Sequence, residues 1–294
     1  MALKQFFTCS VLPLIVIGSL WGEQAKAVVP VQYKSPMGFE KWKMTGNRLR
    51  CGLSLVIPNY GIAYFEQYAA RPPHFIMSKW EQVQRELPAV VYAKEPVWKP
   101  RALRFPITKT VLTPGEFALF LPRDPALSTL TYLAKGYNTR IQYRSEQGFP
   151  VTVILSPIHF QKVYAKYQRC LGNLLPFNYE HVKTTVLLFD TNDYKLEEAQ
   201  LRQLKRIVTY VNADPQVRKI NIYGYSDDRG RKSINNAMSE ARAKAVEKFL
   251  LSQGINKDMI YTTWFGVLDP VAPNTTEAGM ALNRRVVVEI EKKI

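Results

Sequence analysis

Residues 220–250 read I-N-I-Y-G-Y-S-D-D-R-G-R-K-S-I-N-N-A-M-S-E-A-R-A-K-A-V-E-K-F-L, and this stretch decides the fold of the second half of the chain. Ile220, Ile222 and Tyr223 predict a short strand, and residues 224–230 are rich in turn formers. A helix follows, with Ser233 as its expected cap. Met238, Ala241, Ala245, Val246, Phe249 and Leu250 recur at the spacing of one apolar face, and Arg242 falls inside that stripe. A guanidinium among apolar neighbours needs an anion, because removing a charge from water costs several kcal/mol. The nearest anions in the chain are Asp227 and Asp228 on the preceding loop. Two readings follow: an internal Asp–Arg ion pair tying loop to helix, or an Asp beside an Arg that together hold a zwitterionic ligand.

Working outward, alternation of strands and helices continues through residues 181–294. Residues 184–189 form a β-branched strand, residues 196–211 an amphipathic helix, and residues 260–265 and 285–290 further strands. A Pro/Asn/Thr/Gly-rich loop is expected over residues 269–279. This pattern predicts an α/β two-layer sandwich with helices on one face of the sheet. Asp190 and Asp227 follow strands, where such sheets bind ligands.

Residues 28–180 read differently. Short strands are expected at residues 53–57, 62–68, 90–92, 117–120, 140–143 and 151–155, separated by prolines and other turn formers. Helical spacing appears at residues 127–136 and 158–171. The expectation is a mostly-β domain, a barrel or sandwich, carrying a helix, so the whole chain is α+β. Its aromatic residues suit either a core or a docking surface. Pro96 and Pro100 around Trp98 suggest an extended recognition strip.

The N-terminus has the pattern of a secretory signal peptide. Lys4 precedes a mostly apolar run over residues 6–20, and Ala25-Lys26-Ala27 is a small-x-small cleavage site. The run is short for a membrane span and contains Pro13, which favours cleavage after Ala27 over a retained anchor. Export leaves Cys51 and Cys170 as an even pair in an oxidising compartment, expected as a disulfide in preference to two buried thiols. The 294 residues carry 40 Lys+Arg against 24 Asp+Glu. Residues 28–180 hold 20 basic and 9 acidic residues, a net +11, against a net +4 for residues 181–294. Such a basic surface suits any acidic polymer, but export argues against nucleic acid as the partner. Catalysis finds no support: His74, His159 and His181 are scattered, and no metal-ligand spacing, Cys/His pair or paired carboxylates suited to wall hydrolysis appear. No cofactor is expected.

The series Phe189-Asp190, Gly224-Tyr225-Ser226-Asp227 with Gly230, then Asn235, Ser239, Arg242-Ala243 and Asn283-Arg284-Arg285-Val286 resembles the OmpA-like peptidoglycan-binding family. The resemblance covers the whole second half. It implies that Asp227 takes the ammonium and Arg242 the carboxylate of diaminopimelate in a peptidoglycan stem peptide. It also implies that Ser226, Asn235 and Arg284 belong to the site. Tyr225 and Ser226 stand where the family usually has His and Thr, and Met238 where it has Leu, the last expected as a core exchange. The first half resembles the MotY family of periplasmic proteins of the sodium-driven polar flagellar motor. That likeness rests on Arg50-Cys51, the Pro96-to-Pro100 loop, and Tyr164, Cys170 and Asn173-Leu174-Leu175. It implies a periplasmic, wall- and basal-body-associated anchor within a ring assembly; the same wall anchor serving another envelope machine, such as a secretion apparatus, is the alternative.

Overall fold

A computed structural model describes residues 29–96, 99 and 102–293. The expected leader over residues 1–27, and Trp98 and Pro100 of the expected strip, lie outside the described residues. Among the described residues the first half contains ten strands and two α-helices. The strands are β1 (Val31–Tyr33), β2 (Trp42–Gly46), β3 (Arg50–Ile57), β4 (Gly61–Tyr68), β5 (His74–Lys79), β6 (Leu87–Lys94), β7 (Arg104–Leu112), β8 (Phe117–Leu121), β9 (Asn138–Arg144) and β10 (Pro150–Leu155). The helices are α1 (Arg123–Ala134), between β8 and β9, and α2 (Phe160–Gly172), after β10.

These strands form two five-stranded sheets, ordered β1-β10-β9-β6-β7 and β2-β3-β4-β5-β8. Hydrogen bonding does not run from one sheet into the other, so the closed-barrel alternative falls. One core joins them: Leu53, Leu55, Phe65, Phe75 and Met77 from one sheet meet Val91, Ile141 and Val153 from the other, with Leu130 of α1 and Tyr167 of α2. Alternation explains this, since every second residue of a strand turns to the same face. The expected strands are present, most of them extended by one to three residues. Four were not anticipated: β1, β2, β5 and β7. β7 contains Pro106 and Lys109, which disguise it as a loop, yet it lies at a sheet edge, where proline is tolerated. Cys51 of β3 and Cys170 of α2 are joined as a disulfide, with Cα atoms 6.0 Å apart, so the two-thiol alternative is dropped.

The second half runs β11 (Thr184–Leu188), α3 (Glu198–Ala213), β12 (Val217–Gly224), α4 (Lys232–Ser252), β13 (Ile260–Trp264), α5 (Glu277–Asn283) and β14 (Arg285–Lys292). Its sheet order is β11-β14-β12-β13, with β14 antiparallel to both neighbours. Leu187, Ile220, Ile222, Val286, Val288 and Ile290 form one buried core with Leu204, Ile207 and Val208 of α3 and Val246 and Leu250 of α4. That is the expected two-layer α/β arrangement. Two expectations need correction. The loop over residues 269–279 is interrupted by α5, whose N-cap is Thr276, accepting from Gly279 N. Arg231, not Ser233, occupies the N-cap position of α4, and no side chain caps it there.

Among the described residues no helix is long and apolar enough to cross a membrane. Leu49 and Ala69 of the first half reach the second core, and Leu175 N donates to Arg48 O at 2.9 Å. The disulfide closes a separation of 119 residues, which on chain-entropy grounds stabilises by about 4–5 kcal/mol. Replacing both Cys51 and Cys170 by serine should therefore lower the denaturant midpoint markedly in equilibrium unfolding; an unchanged midpoint would contradict the role assigned to the bridge.

Candidate functional site

The ends of three strands place the site. β11 and β12 deliver their loops at the same edge of the sheet, and β14 starts there, with Arg285 opposite Leu188 and Val286 opposite Gly224. Phe189 N donates to Arg284 O at 2.8 Å and Tyr225 N to Arg285 O at 2.9 Å, so the three segments stay together beyond the sheet. α4 closes the side. Gly224 is required there, because a Cβ would collide with the Ser239 carbonyl of the helix. Gly230, at φ +89°, turns the loop into α4.

The buried side of α4 is Asn235, Ser239, Arg242, Ala243, Val246 and Leu250. Its N-terminal half is polar and faces the strand ends; its C-terminal half is apolar and faces the sheet. The expected stripe of Met238, Ala241, Ala245 and Phe249 is only half-buried, flanking the true seam. Arg242 is 1% exposed. Its Nε donates to Asp193 O at 2.9 Å, its Nη2 to Asp190 O at 2.9 Å, and its Nη1 to Tyr225 O at 3.3 Å. Three carbonyls therefore satisfy part of the fork, and no carboxylate among the described residues pairs with it. A guanidinium has five N–H donors, so two remain. Burial pulls its pKa down to about 10, against the attraction of Asp227.

Asp227 is 6% exposed, and its partner is not Arg242. Its Oδ2 accepts from Arg284 Nη1 at 2.9 Å and from Arg229 Nε and Nη2 at 3.3 and 3.2 Å. The internal Asp227–Arg242 ion pair considered from sequence is thus replaced by an Asp227–Arg284 pair. Arg229 and Arg284 both reach Glu277 at the start of α5, and Arg229 also reaches Thr191. Asp227 Oδ1 accepts no hydrogen bond among the described residues.

A cavity of about 270 Å³ brings Ser226, Asp227, Asn235, Arg242 and Arg284 together. Arg229, Met238 and Thr191 also line it, none of which sequence reasoning had assigned to the site. Met238 is therefore a cavity residue and not a plain core exchange. Ser226 Oγ is buried without a partner, and the side-chain amide of Asn235 makes no hydrogen bond among the described residues although the residue is 5% exposed. Buried polar groups left open in this way call for an explanation. Tyr225 does not line the cavity. Its ring stacks on Phe265 at 5.4 Å and carries the Arg285 guanidinium at 3.9 Å, so only its carbonyl serves the site. Asn283 is fully buried and staples the loop before α5, accepting from Val271 N and Ala272 N and donating to Ala272 O.

Residues 33–176 match the MotY N-terminal domain family, and residues 188–284 match the OmpA family. The chain is a MotY N-terminal domain joined to an OmpA-family domain. It is similar to the sodium-type flagellar protein MotY of Vibrio parahaemolyticus, with 26% identity over 280 residues, covering 94% of this chain and 95% of that protein. The OmpA-family domain is similar to the peptidoglycan-binding protein ArfA of Mycobacterium tuberculosis, with 35% identity over 104 residues, 35% of this chain and 32% of that protein. Among solved structures, the peptidoglycan-associated lipoprotein of Burkholderia pseudomallei aligns at 29% identity and a TM-score of 0.35, covering 36% of this chain and 89% of that one.

Burial ranks the ion pairs of the OmpA-family domain. The Arg284–Asp227 pair is buried on both sides, and breaking such a pair costs about 3–5 kcal/mol. Arg229 is 43% exposed, and such pairs contribute at most about 1 kcal/mol. Arg284→Ala should thus destabilise far more than Arg229→Ala in denaturant unfolding; equal losses would contradict the ranking.

Proposed function

We propose that this chain is a non-enzymatic periplasmic anchor of a flagellar motor. Its OmpA-family domain binds the diaminopimelate end of a peptidoglycan stem peptide, and its first domain docks on the basal body as part of a ring. The observation that carries the wall-binding part is Arg242, a buried guanidinium with two N–H donors unspent, lining a cavity beside the open Oδ1 of Asp227.

Arg242 takes the ligand carboxylate. Its three carbonyl partners fix the plane of the fork without neutralising its charge, so the remaining attraction is available to an anion. Asp227 takes the ammonium through Oδ1. Arg284 is a positioning residue: by holding Oδ2 at 2.9 Å, it sets the direction in which Oδ1 points. Ser226 Oγ, unpartnered, and the side-chain amide of Asn235, in the cavity wall, are left to hydrogen-bond the rest of the zwitterionic centre or its adjoining peptide group. Three guanidinium groups against Asp227 and Glu277 leave the site net cationic, which suits a stem end whose carboxylates outnumber its ammonium.

The similarity to a sodium-type flagellar protein over 94% of the chain supports the motor assignment, and the similarity to a peptidoglycan-binding protein supports the wall ligand. Cell-wall attachment together with the signal-peptide pattern of residues 1–27 supports a periplasmic location.

Truncating one side of a buried charge pair weakens binding by about 2–5 kcal/mol, roughly 30-fold or more. Arg242→Lys keeps the charge and loses the fork, and should reduce co-sedimentation with purified peptidoglycan by that factor, as should Asp227→Asn. Asn235→Ala removes no internal hydrogen bond, so it should weaken sedimentation while leaving the unfolding midpoint close to wild type. Folded variants that sediment like wild type would defeat the wall-binding site. Deleting the chain in its host should leave flagella in place and abolish swimming; normal swimming would defeat the motor role.

A further inference from the structure

The first domain carries a second built feature, on the outer face of its β2-β3-β4-β5-β8 sheet. Strand register sets Phe120 beside Ile76, and Ile76 beside Tyr64, in one cross-strand row on the side away from the core. Phe120 is 56% exposed. Beside it lies a groove of about 510 Å³, walled by Tyr68, Pro73, His74 and Phe120, with Arg71 and Arg123 also in its lining. The His74 ring stacks parallel to Tyr68 at 6.1 Å and leans on Phe120 at 5.6 Å, so three rings from three strands make a fixed floor.

The charge of the groove is one-sided. Among the described residues no carboxylate lines it. The buried acid Glu66 is committed to Arg50, accepts from Tyr68 Oη at 3.3 Å and lies 3.9 Å from His74 Nε2, so it is engaged by its own neighbours. Arg71 and Arg123 make no ion pair among the described residues. Rigid aromatic floors flanked by arginine are the features that concentrate binding energy in protein interfaces, and unpaired cations at the rim select an acidic partner. A net charge of +11 over residues 28–180 extends that selection over longer range.

We propose that this groove docks an acidic segment of the envelope partner. An aromatic, aliphatic or proline anchor of that segment sits over His74 and Phe120, and Asp or Glu residues flanking it pair with Arg71 and Arg123. The proposal rests on the reading that the first domain docks on an envelope machine, and it names the surface and chemistry of that contact. Tyr68 and Arg71 also line the cleft of about 500 Å³ between the two domains, beside Tyr179 and Asp214, so the docked segment lies next to the domain junction.

The test places the photo-cross-linking residue p-benzoylphenylalanine at position 120 of the full chain in its host, with a control at Lys166 on α2. The expected result is a discrete adduct from position 120 and not from 166, whose cross-linked peptide contains Asp or Glu within a few residues of an apolar anchor. Arg71→Glu combined with Arg123→Glu should cut the adduct at least tenfold while unfolding midpoint and wall sedimentation stay at wild type. Exchanging the partner's acids for lysine should restore the adduct in that double variant. No adduct at 120, an adduct that survives the charge reversal, or a cross-linked peptide without acid overturns the proposal. A deletion strain that swims normally would defeat the docking role itself, whereas a strain that needs the chain to swim yet gives no adduct at 120 defeats only this surface.

Discussion

The most deeply buried guanidinium, that of Arg242, sets the terms for the OmpA-family domain. Arg242 is 1% exposed, held by three backbone carbonyls and seated 5.5 Å from the Phe189 ring. Carbonyl dipoles orient a guanidinium but leave its full charge uncompensated, and an uncompensated charge away from water is expensive. The surrounding structure tolerates it because the loops after β11 and β12 both turn their carbonyls toward it. Asp190 and Asp193 contribute backbone oxygens and not their carboxylates. On the proposed reading, an anion entering the cavity offsets that cost.

Asp227 faces the opposite risk, that of being neutralised from within. Arg284 and Arg229 both bind Oδ2, which fixes the carboxylate and leaves Oδ1 without a hydrogen bond among the described residues. Antiparallel β14 makes this possible, because its first residues lie beside the last residues of β11 and β12. Three segments remote in sequence therefore meet at one edge. The packing of Gly224 against Ser239 holds α4 close enough for Asn235 and Arg242 to join them. The same helix serves two purposes along its length: polar at the cavity, apolar over the sheet.

Much of this was legible in the residues. An arginine inside an apolar helical stripe announced a buried charge, and strand–loop–helix punctuation located the loop that carries Asp227. The pairing was not legible. Arg284 lies 57 residues from Asp227, and only the antiparallel placement of β14 brings them together. The roles of Arg229 and Glu277 were hidden for the same reason, since α5 falls in a stretch whose prolines, asparagines and glycine read as loop. Tyr225 stands where the resemblance implies a His at the site, but its ring lies against Phe265 and Arg285, outside the cavity lining. In the first domain, β7 escaped notice because an edge strand can hold polar residues and a proline that a central strand cannot.

The first domain and the OmpA-family domain share a boundary at which Leu49, Ala69 and Leu175 enter the second core, so packed side chains join the two halves. The proposed wall binding turns on what completes Arg242. Isothermal titration of the full chain with a soluble stem peptide bearing diaminopimelate, against the same peptide with the free carboxylate of its D-centre amidated, asks this directly. The account predicts measurable binding of the first and a loss of at least thirtyfold for the second; equal affinity for both would contradict it.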